Sequence, residues 1–284
     1  MKTAITVFVI FSISVGSKLL FAQNIWNVYT KSNSGICSDT ITSIYENSGI
    51  FWFGTVSGVS KYDGSNWTNF TYGNSPFTEY NNVTAIISFK GAMYFGTLSG
   101  LLKYDGSWSS APDFPNTMIM SMDTDASGNL WVGTHNGVYK YDGFNTINYN
   151  PGNSLLPSYW VSGVKKDNTG NVWIAMMNDH FPSSNYNAGI AKFNGSSWQF
   201  YNTQNSKLTN ENIHSITKDN EGNMWFGADS LLLFKFDGVN WNRYDLSSQI
   251  TSNWFSSLAA DADLDVQKKR RAFQHDAIFL TFST

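Results

Sequence analysis

The stretch Phe51–Trp67 reads FWFGTVSGVSKYDGSNW, and Met93–Trp108 repeats it almost unchanged as MYFGTLSGLLKYDGSW. Its first half is an aromatic-x-Gly-Thr element, which decays in the later copies to WIAM and WFGA. Its second half is a Lys-aromatic-Asp/Asn-Gly element. The first element begins at Trp52, Tyr94, Trp131, Trp173 and Trp225, and the second at Lys61, Lys103, Lys140, Lys192 and Lys235. The chain therefore contains five copies of one unit of about 42 residues.

Each copy contains four short β-forming runs separated by turns. An apolar pair three residues apart, such as Val161 and Val164, precedes the aromatic-x-Gly-Thr element. Asp/Asn-Gly turns lie between apolar runs, as in hairpins. Aromatic residues make up 16% of the chain and charged residues 14%, a composition that favours strands over exposed helices. A repeated four-stranded unit predicts an all-β fold, a β-propeller of four-stranded blades. A single barrel or sandwich is the alternative, but it does not explain the period.

A sixth copy begins but does not finish. Ser252–Asp263 aligns with Asn210–Glu221, and Phe255 and Leu258 form its apolar pair. We therefore expect five complete blades and a partial sixth in a propeller that spans residues 24–266. The outer-type strand at Ile25–Thr30 is expected to close the last blade. Residues 267–284 no longer match the repeat and are expected to be out of frame, a fragment end, or a divergent tail whose last residues supply a strand.

The first 23 residues have the pattern of a secretory signal peptide: Lys2, an apolar run, and small residues near Ala22. The apolar run of about 13 residues is short for a membrane anchor, which needs about 20. We expect export to the periplasm or the cell exterior, with no membrane span after cleavage. Cys37 is the only cysteine, so no internal disulfide can form. The net charge of −3 gives no reason to expect a nucleic-acid partner.

The shared motif, GNxWxGTxxGxxxYDG, resembles the two-component regulator propeller repeat over residues 25–263. In that family, arrays of such blades form the exported sensor region of bacterial hybrid sensor kinases, and they also occur in secreted proteins. Some of these sensors recognise oligosaccharides. The resemblance implies an extracytoplasmic propeller that binds a small molecule, a glycan or a protein partner.

In a propeller, the outer-to-inner loops and the second-to-third turns share one rim, where ligands bind. The fourth copy carries an insertion there, Met176–Gly189, and insertions on one face of a repeat protein often mark the binding face. Aromatic residues before inner strands are candidates for stacking on sugars, and the alternative is that they pack between blades, as most tryptophans of this chain must. The candidate ligand-binding residues are Asp179, His180, Tyr186 and Asn187 in the insertion, and Tyr159, Trp160, Trp254 and His135 elsewhere on the rim.

Neither a metal site nor an active site is evident. Asp123–Asn129 resembles the start of a calcium loop, but Thr134 stands where the twelfth-position acid is needed, so a hairpin turn is the better interpretation. The four histidines have no metal-ligand spacing, and we expect no cofactor. The leading hypothesis is a non-enzymatic sensor or interaction module, with oligosaccharides as a candidate class of ligand. The alternatives are a propeller lyase or lactone-opening enzyme that uses pore histidines such as His135 and His214, and a structural or adhesion scaffold.

Overall fold

The computed structural model describes residues 27–78, 82–178 and 188–248, and the short strands Val7–Val9, Leu258–Ala260 and Ile278–Leu280. These residues are almost entirely β-strand and turn. Five four-stranded antiparallel sheets follow one another along the chain, as the repeat predicts. The chain divides into two compact units, Met1–Ile86 and Ile87–Thr284, of which the first contains blade one and the second contains blades three to five.

Within each blade the four strands follow one another in sequence order. In the first two blades they are β3 (Ile41–Asn47), β4 (Ile50–Thr55), β5 (Gly58–Tyr62), β6 (Trp67–Thr71), β7 (Val83–Phe89), β8 (Ala92–Thr97), β9 (Gly100–Tyr104) and β10 (Trp108–Ser110). In the other three they are β11 (Ile119–Thr124), β12 (Leu130–Thr134), β13 (Gly137–Tyr141), β14 (Thr146–Tyr149), β15 (Val161–Lys166), β16 (Val172–Met176), β17 (Gly189–Phe193), β18 (Trp198–Tyr201), β19 (Ile213–Lys218), β20 (Met224–Ala228), β21 (Leu232–Phe236) and β22 (Trp241–Asp245).

The acidic turn of blades three to five is tied to the tryptophan of the second strand. In blade four, Asp167 Oδ1 accepts the Asn171 backbone N–H at 2.9 Å, and Asp167 Oδ2 accepts the Trp173 indole N–H at 2.8 Å. Asp125 and Asp219 bind Trp131 and Trp225 in the same way. Because Trp173 is 1% exposed, the carboxylate gives a deeply buried indole its hydrogen bond. The Asp-x-x-Gly-Asn-x-Trp sequence is thus a structural lock.

The Gly-Thr and Lys-aromatic elements also have structural roles. Thr134 Oγ1 donates to the Gly137 carbonyl at 2.9 Å and accepts the Asn136 N–H, which bridges the second-to-third turn. A Cβ on Gly133 would lie 2.7 Å from Val161 Cγ1, so glycine lets the next blade pack closely. The lysine stands over the tryptophan of the neighbouring strand, 5.1 Å from the ring centre for Lys192 and Trp173.

The loops from outer to inner strand share a cap that the sequence analysis missed. In the loop before blade four, Asn153 Oδ1 accepts the Asn150 N–H, Asn153 Nδ2 donates to the Asn148 carbonyl, and Ser154 Oγ donates to the Asn150 carbonyl. Leu156, 2% exposed, anchors this loop in the core. The same bonds recur around Asn33, Asn74 and Asn205.

Every inner strand whose register is described begins with a β-bulge. The extra residue is Thr42, Met120, Ser162 or His214. In blade four, Ser162 Oγ donates to the Ile213 carbonyl of blade five at 2.5 Å. Within the second unit, β11 contacts β15 and β15 contacts β19, so neighbouring blades meet along their inner strands.

Two pairs of short strands are described outside the five blades. Leu258 in β23 (Leu258–Ala260) is buried with Trp225, Leu231 and Leu233, so β23 packs on blade five as an inner strand of a sixth copy would. β24 (Ile278–Leu280) pairs with it in parallel, unlike the antiparallel hairpins of the blades. β2 (Asn27–Tyr29) pairs with β1 (Val7–Val9), inside the expected signal peptide. Within the described ranges, no helical segment has the length and hydropathy needed to cross a bilayer.

Candidate functional site

A candidate binding site is best sought at positions that depart from the repeat, because the residues shared by the copies have structural roles within the blades. The Gly-Thr pair that ends the second strand becomes Ala175-Met176 in blade four. In blade five, Ala228 replaces the threonine, and Leu232 replaces the glycine that closes the turn. Both departures lie at the second-to-third turns of adjacent blades. The second-to-third turns of two neighbouring blades have therefore lost residues that form the standard turn in the other blades.

These turns lie on one rim with the outer-to-inner loops. The His135 N–H donates to the Met118 carbonyl at 3.4 Å, and the Met177 N–H donates to the Trp160 carbonyl at 3.0 Å. The Asp229 N–H donates to the Asn212 carbonyl at 3.3 Å. In blades three, four and five, the turn thus binds the residue just before its own inner strand. We call this end of blades three to five the rim.

Two of the candidate ligand-binding residues contact each other on the rim. The rings of His135 and Trp160 lie 4.1 Å apart, with 44° between their planes. Tyr159 is fixed beside them, because its carbonyl accepts the Gly137 N–H at 2.7 Å. All three side chains are half-buried. A partly exposed aromatic surface therefore spans the junction of blades three and four.

A polar cluster lies on the rim at the junction of blades four and five. Asn212 Oδ1 accepts the Asn178 N–H at 3.0 Å, and Asn212 Nδ2 donates to Asp229 Oδ2 at 2.6 Å. His214 Nε2 lies 2.5 Å from Asp229 Oδ1. The side chains of His214 and Asp229 are 20% and 37% exposed. The cluster is thus internally bonded and still reachable from solvent.

The turn that presents Asp229 is strained. It forms one 3-10 turn, Asp229–Leu231, in which Ser230 and Leu231 have φ of 59° and 57°. Residues other than glycine seldom adopt this left-handed region, and such strain concentrates at functional sites. Leu231 offsets the strain by burying its side chain against Trp225 and Leu233.

His214 lies in this polar cluster, although the sequence suggested it only as a pore histidine of the enzyme alternative. It is the bulged residue at the start of β19, and bulges redirect side chains next to binding sites. Its partner Asp229 is 15 residues away in another turn. A signal was present: the fifth copy is the one with a histidine at the bulge position and the one with an acid directly after its second strand.

The predicted site residues separate into two groups. His135, Tyr159 and Trp160 come together on the rim. Asp179, His180, Tyr186, Asn187 and Trp254 lie outside the described residues. Both ends of the insertion are described: the Ala188 N–H donates to Asn178 Oδ1 at 3.0 Å, so the insertion starts and ends at the polar cluster. Across the described ranges, no three His, Cys, Asp or Glu side chains are grouped as metal ligands.

The chain is similar to solved propellers of several functions. It aligns with the extracellular domain of a hybrid two component system from B. thetaiotaomicron with a TM-score of 0.66 and 19% identity, over 84% of this chain and 32% of that one. It aligns with PorZ, a surface component of the type-IX secretion system of Porphyromonas gingivalis, with a TM-score of 0.56 and 17% identity, over 82% and 36%. It thus spans about a third of each.

A virginiamycin B lyase from Staphylococcus aureus also aligns, with a TM-score of 0.57 and 12% identity over 75% of this chain and 71% of the lyase. At these identities the likenesses establish the fold alone. No curated protein sequence matches the chain. Residues 113–136 and 207–230 match the family model described as two component regulator propeller. These segments cover the inner and second strands of blades three and five, and this β-propeller therefore carries two-component regulator propeller repeats.

Proposed function

We propose that this chain is an exported, non-enzymatic sensor or interaction module that binds an oligosaccharide on the rim of blades three to five. One observation carries the proposal: the two turns that depart from the repeat are in adjacent blades, and Asn212 joins them by accepting the Asn178 N–H of one and donating to Asp229 of the other. Surfaces that bind ligands in repeat proteins concentrate such departures on one face.

The side chains of the rim suit a sugar. The Trp160 and His135 rings offer flat apolar faces for the C–H face of a pyranose, and Asn212 and Asp229 offer an amide and a carboxylate for hydroxyl groups. Mixed apolar and convergent polar groups are typical of ligand sites. Asp179, His180, Tyr186 and Asn187 would add contacts from the insertion, and Trp254 would add an aromatic face from the partial sixth copy. The extracellular domain among the similar structures supports an extracytoplasmic location.

The test is calorimetric titration of the full chain against a panel of oligosaccharides. Trp160→Ala should weaken binding of the best ligand roughly tenfold or more, as truncation of a central aromatic contact does. Phe144→Ala is the matched control, because Phe144 is an aromatic residue that is 71% exposed in the third-to-outer turn at the opposite end of blade three. Denaturation midpoints check that both variants fold. Equal binding by wild type and Trp160→Ala, or failure of every sugar to bind, contradicts the proposal.

The His214–Asp229 pair keeps the enzyme alternative open. A histidine bonded to a carboxylate at 2.5 Å is an arrangement that serves general base catalysis. If the chain were a lyase or a lactone-opening enzyme, esters or lactones would turn over, and His214→Gln would abolish the turnover. Binding of a protein without any small-molecule binding would instead favour the scaffold alternative.

A further inference from the structure

The charges on the rim narrow the class of sugar. We infer that the rim selects oligosaccharides without carboxylate or sulfate groups, and that Asp229 is the residue that sets this selection. The inference rests on the proposed function, because it concerns the ligand of the same site.

Asp229 has acceptor capacity left for a ligand. Each oxygen of an ionised carboxylate can accept two hydrogen bonds. Among the described contacts, Oδ2 receives one from Asn212 and Oδ1 receives one from His214. Each oxygen therefore retains a position for one more donor, and 37% of the side chain is exposed. Two neighbouring acceptors on a held carboxylate match two adjacent sugar hydroxyls, which both donate.

The carboxylate is held in place from both sides. Asn212 and His214 fix its oxygens, and the strained turn at Ser230 and Leu231 fixes its backbone. A preorganised group loses little freedom when the ligand arrives. A negative group in the ligand would have no donor to offer Asp229 and would repel it.

Among the described basic side chains of the second unit, His214 contacts Asp229, whereas most of the lysines and the arginine lie on other elements. Those on or directly after inner strands lie toward the end opposite the rim, and those on third strands pair near that end with the tryptophan of the second strand, or in blade two with Tyr94. They are Lys90, Lys103, Lys140, Lys165, Lys166, Lys192, Lys218, Lys235 and, on an outer strand, Arg243. Lys207 lies in a described loop on the rim. The same loop contains the carboxylate of Glu211, which accepts the Thr203 N–H at 2.8 Å and offsets the charge of this lysine. The described rim therefore gives an acidic sugar no cluster of cations.

The experiment compares a neutral oligosaccharide with its uronate-bearing counterpart of equal length, using wild type, Asp229→Asn and Glu211→Gln. We expect the wild type to bind the neutral ligand about tenfold more tightly. Asp229→Asn should narrow this ratio to about twofold, because it removes the charge and keeps the shape. His214 can accommodate the amide by accepting its N–H with the other imidazole tautomer.

Glu211→Gln is the control for general rim charge, and it should leave the ratio near the wild-type value. Added salt should narrow the wild-type ratio and leave that of Asp229→Asn unchanged. If the uronate binds as tightly as the neutral sugar, or if Glu211→Gln relieves the preference as much as Asp229→Asn, the inference is wrong and sugar binding still stands. If neither sugar binds, the proposed function itself fails.

Discussion

Replacement of Asp167 by alanine removes the acceptor of five hydrogen bonds in blade four. The donors are the N–H groups of Thr169 and Asn171, the Thr169 hydroxyl, the Asn171 amide and the Trp173 indole. Four of them belong to the turn, where water can replace the carboxylate. The indole belongs to a side chain that is 1% exposed, so it is left without its acceptor inside the blade.

The expected cost follows from these bonds. A hydrogen bond to a charged group contributes about 1.5–3 kcal/mol, and an unsatisfied buried donor costs about 1–3 kcal/mol. Because Asp167 itself is partly exposed, solvent screens part of the charge, and the lower part of the combined range applies. We expect Asp167→Ala to lower the free energy of unfolding by about 2–3 kcal/mol.

The assay is urea unfolding followed by tryptophan fluorescence, with the loss read from the midpoint at an unchanged m-value. Asp237→Ala is the matched control, because Asp237 accepts two backbone N–H groups in an exposed turn and bonds no indole. Its midpoint should move less than that of Asp167→Ala. Trp173→Phe removes the indole N–H, so the double variant should lose less than the sum of the two single losses. Equal shifts for the two aspartate variants, or strict additivity with Trp173→Phe, would refute the lock.

Two further predictions concern the scaffold. Burial raises the pKa of Asp125 and Asp167, but hydrogen bonds from the turn and from the indole outweigh burial, so both pKa values are lowered overall. The stability that the two carboxylates contribute is therefore complete above about pH 4, and it is lost as the pH falls through their lowered folded-state pKa values. In an acid titration, Asp167→Ala should lose stability less steeply than the wild type. Gly137→Ala should destabilise the protein more than Gly143→Ala. The backbone φ is positive at both glycines, but an added Cβ at Gly137 would lie 2.3 Å from the Tyr149 carbonyl oxygen, whereas the nearest atom to one at Gly143 is 3.5 Å away. Equal unfolding midpoints for the two variants would contradict this prediction.

The five blades could be predicted because most copies repeat the same local choices. The turn at Asp167 bonds Trp173 only six residues away, the glycine at Gly133 makes room for the next blade, and each of these features recurs in several copies. The cap around Asn153 was missed for a different reason. Its bonds join a side chain to carbonyl and N–H groups three to five residues away, and Asn and Ser are common in any loop. Only the comparison of all four loops would have revealed it.

The contacts on the rim could be predicted only in part, because one of the two junctions depends on local backbone geometry. Trp160 and His135 could be proposed from the sequence because propeller geometry places each of their repeat positions on the rim. The pairing of His214 with Asp229 depends on a bulge and on a left-handed turn, neither of which has a sequence pattern of its own. From the sequence alone, His214 looks like an ordinary residue of an inner strand, because its contact with Asp229 becomes evident only in the folded structure.

The scaffold and the rim are nevertheless one structure. The Gly137 N–H that donates to the Tyr159 carbonyl belongs to the same turn that Thr134 bridges, so the repeat positions the residue next to Trp160. In blade five, alanine replaces that threonine, and the buried side chain of Leu231 anchors the turn instead. Departures from a repeated local pattern that stabilises the fold are expected mainly at functional sites. The loss of the standard turn at two adjacent blades, together with the retained lock of Asp167 and Asp219 beneath them, is the strongest reason to look for the ligand on this rim.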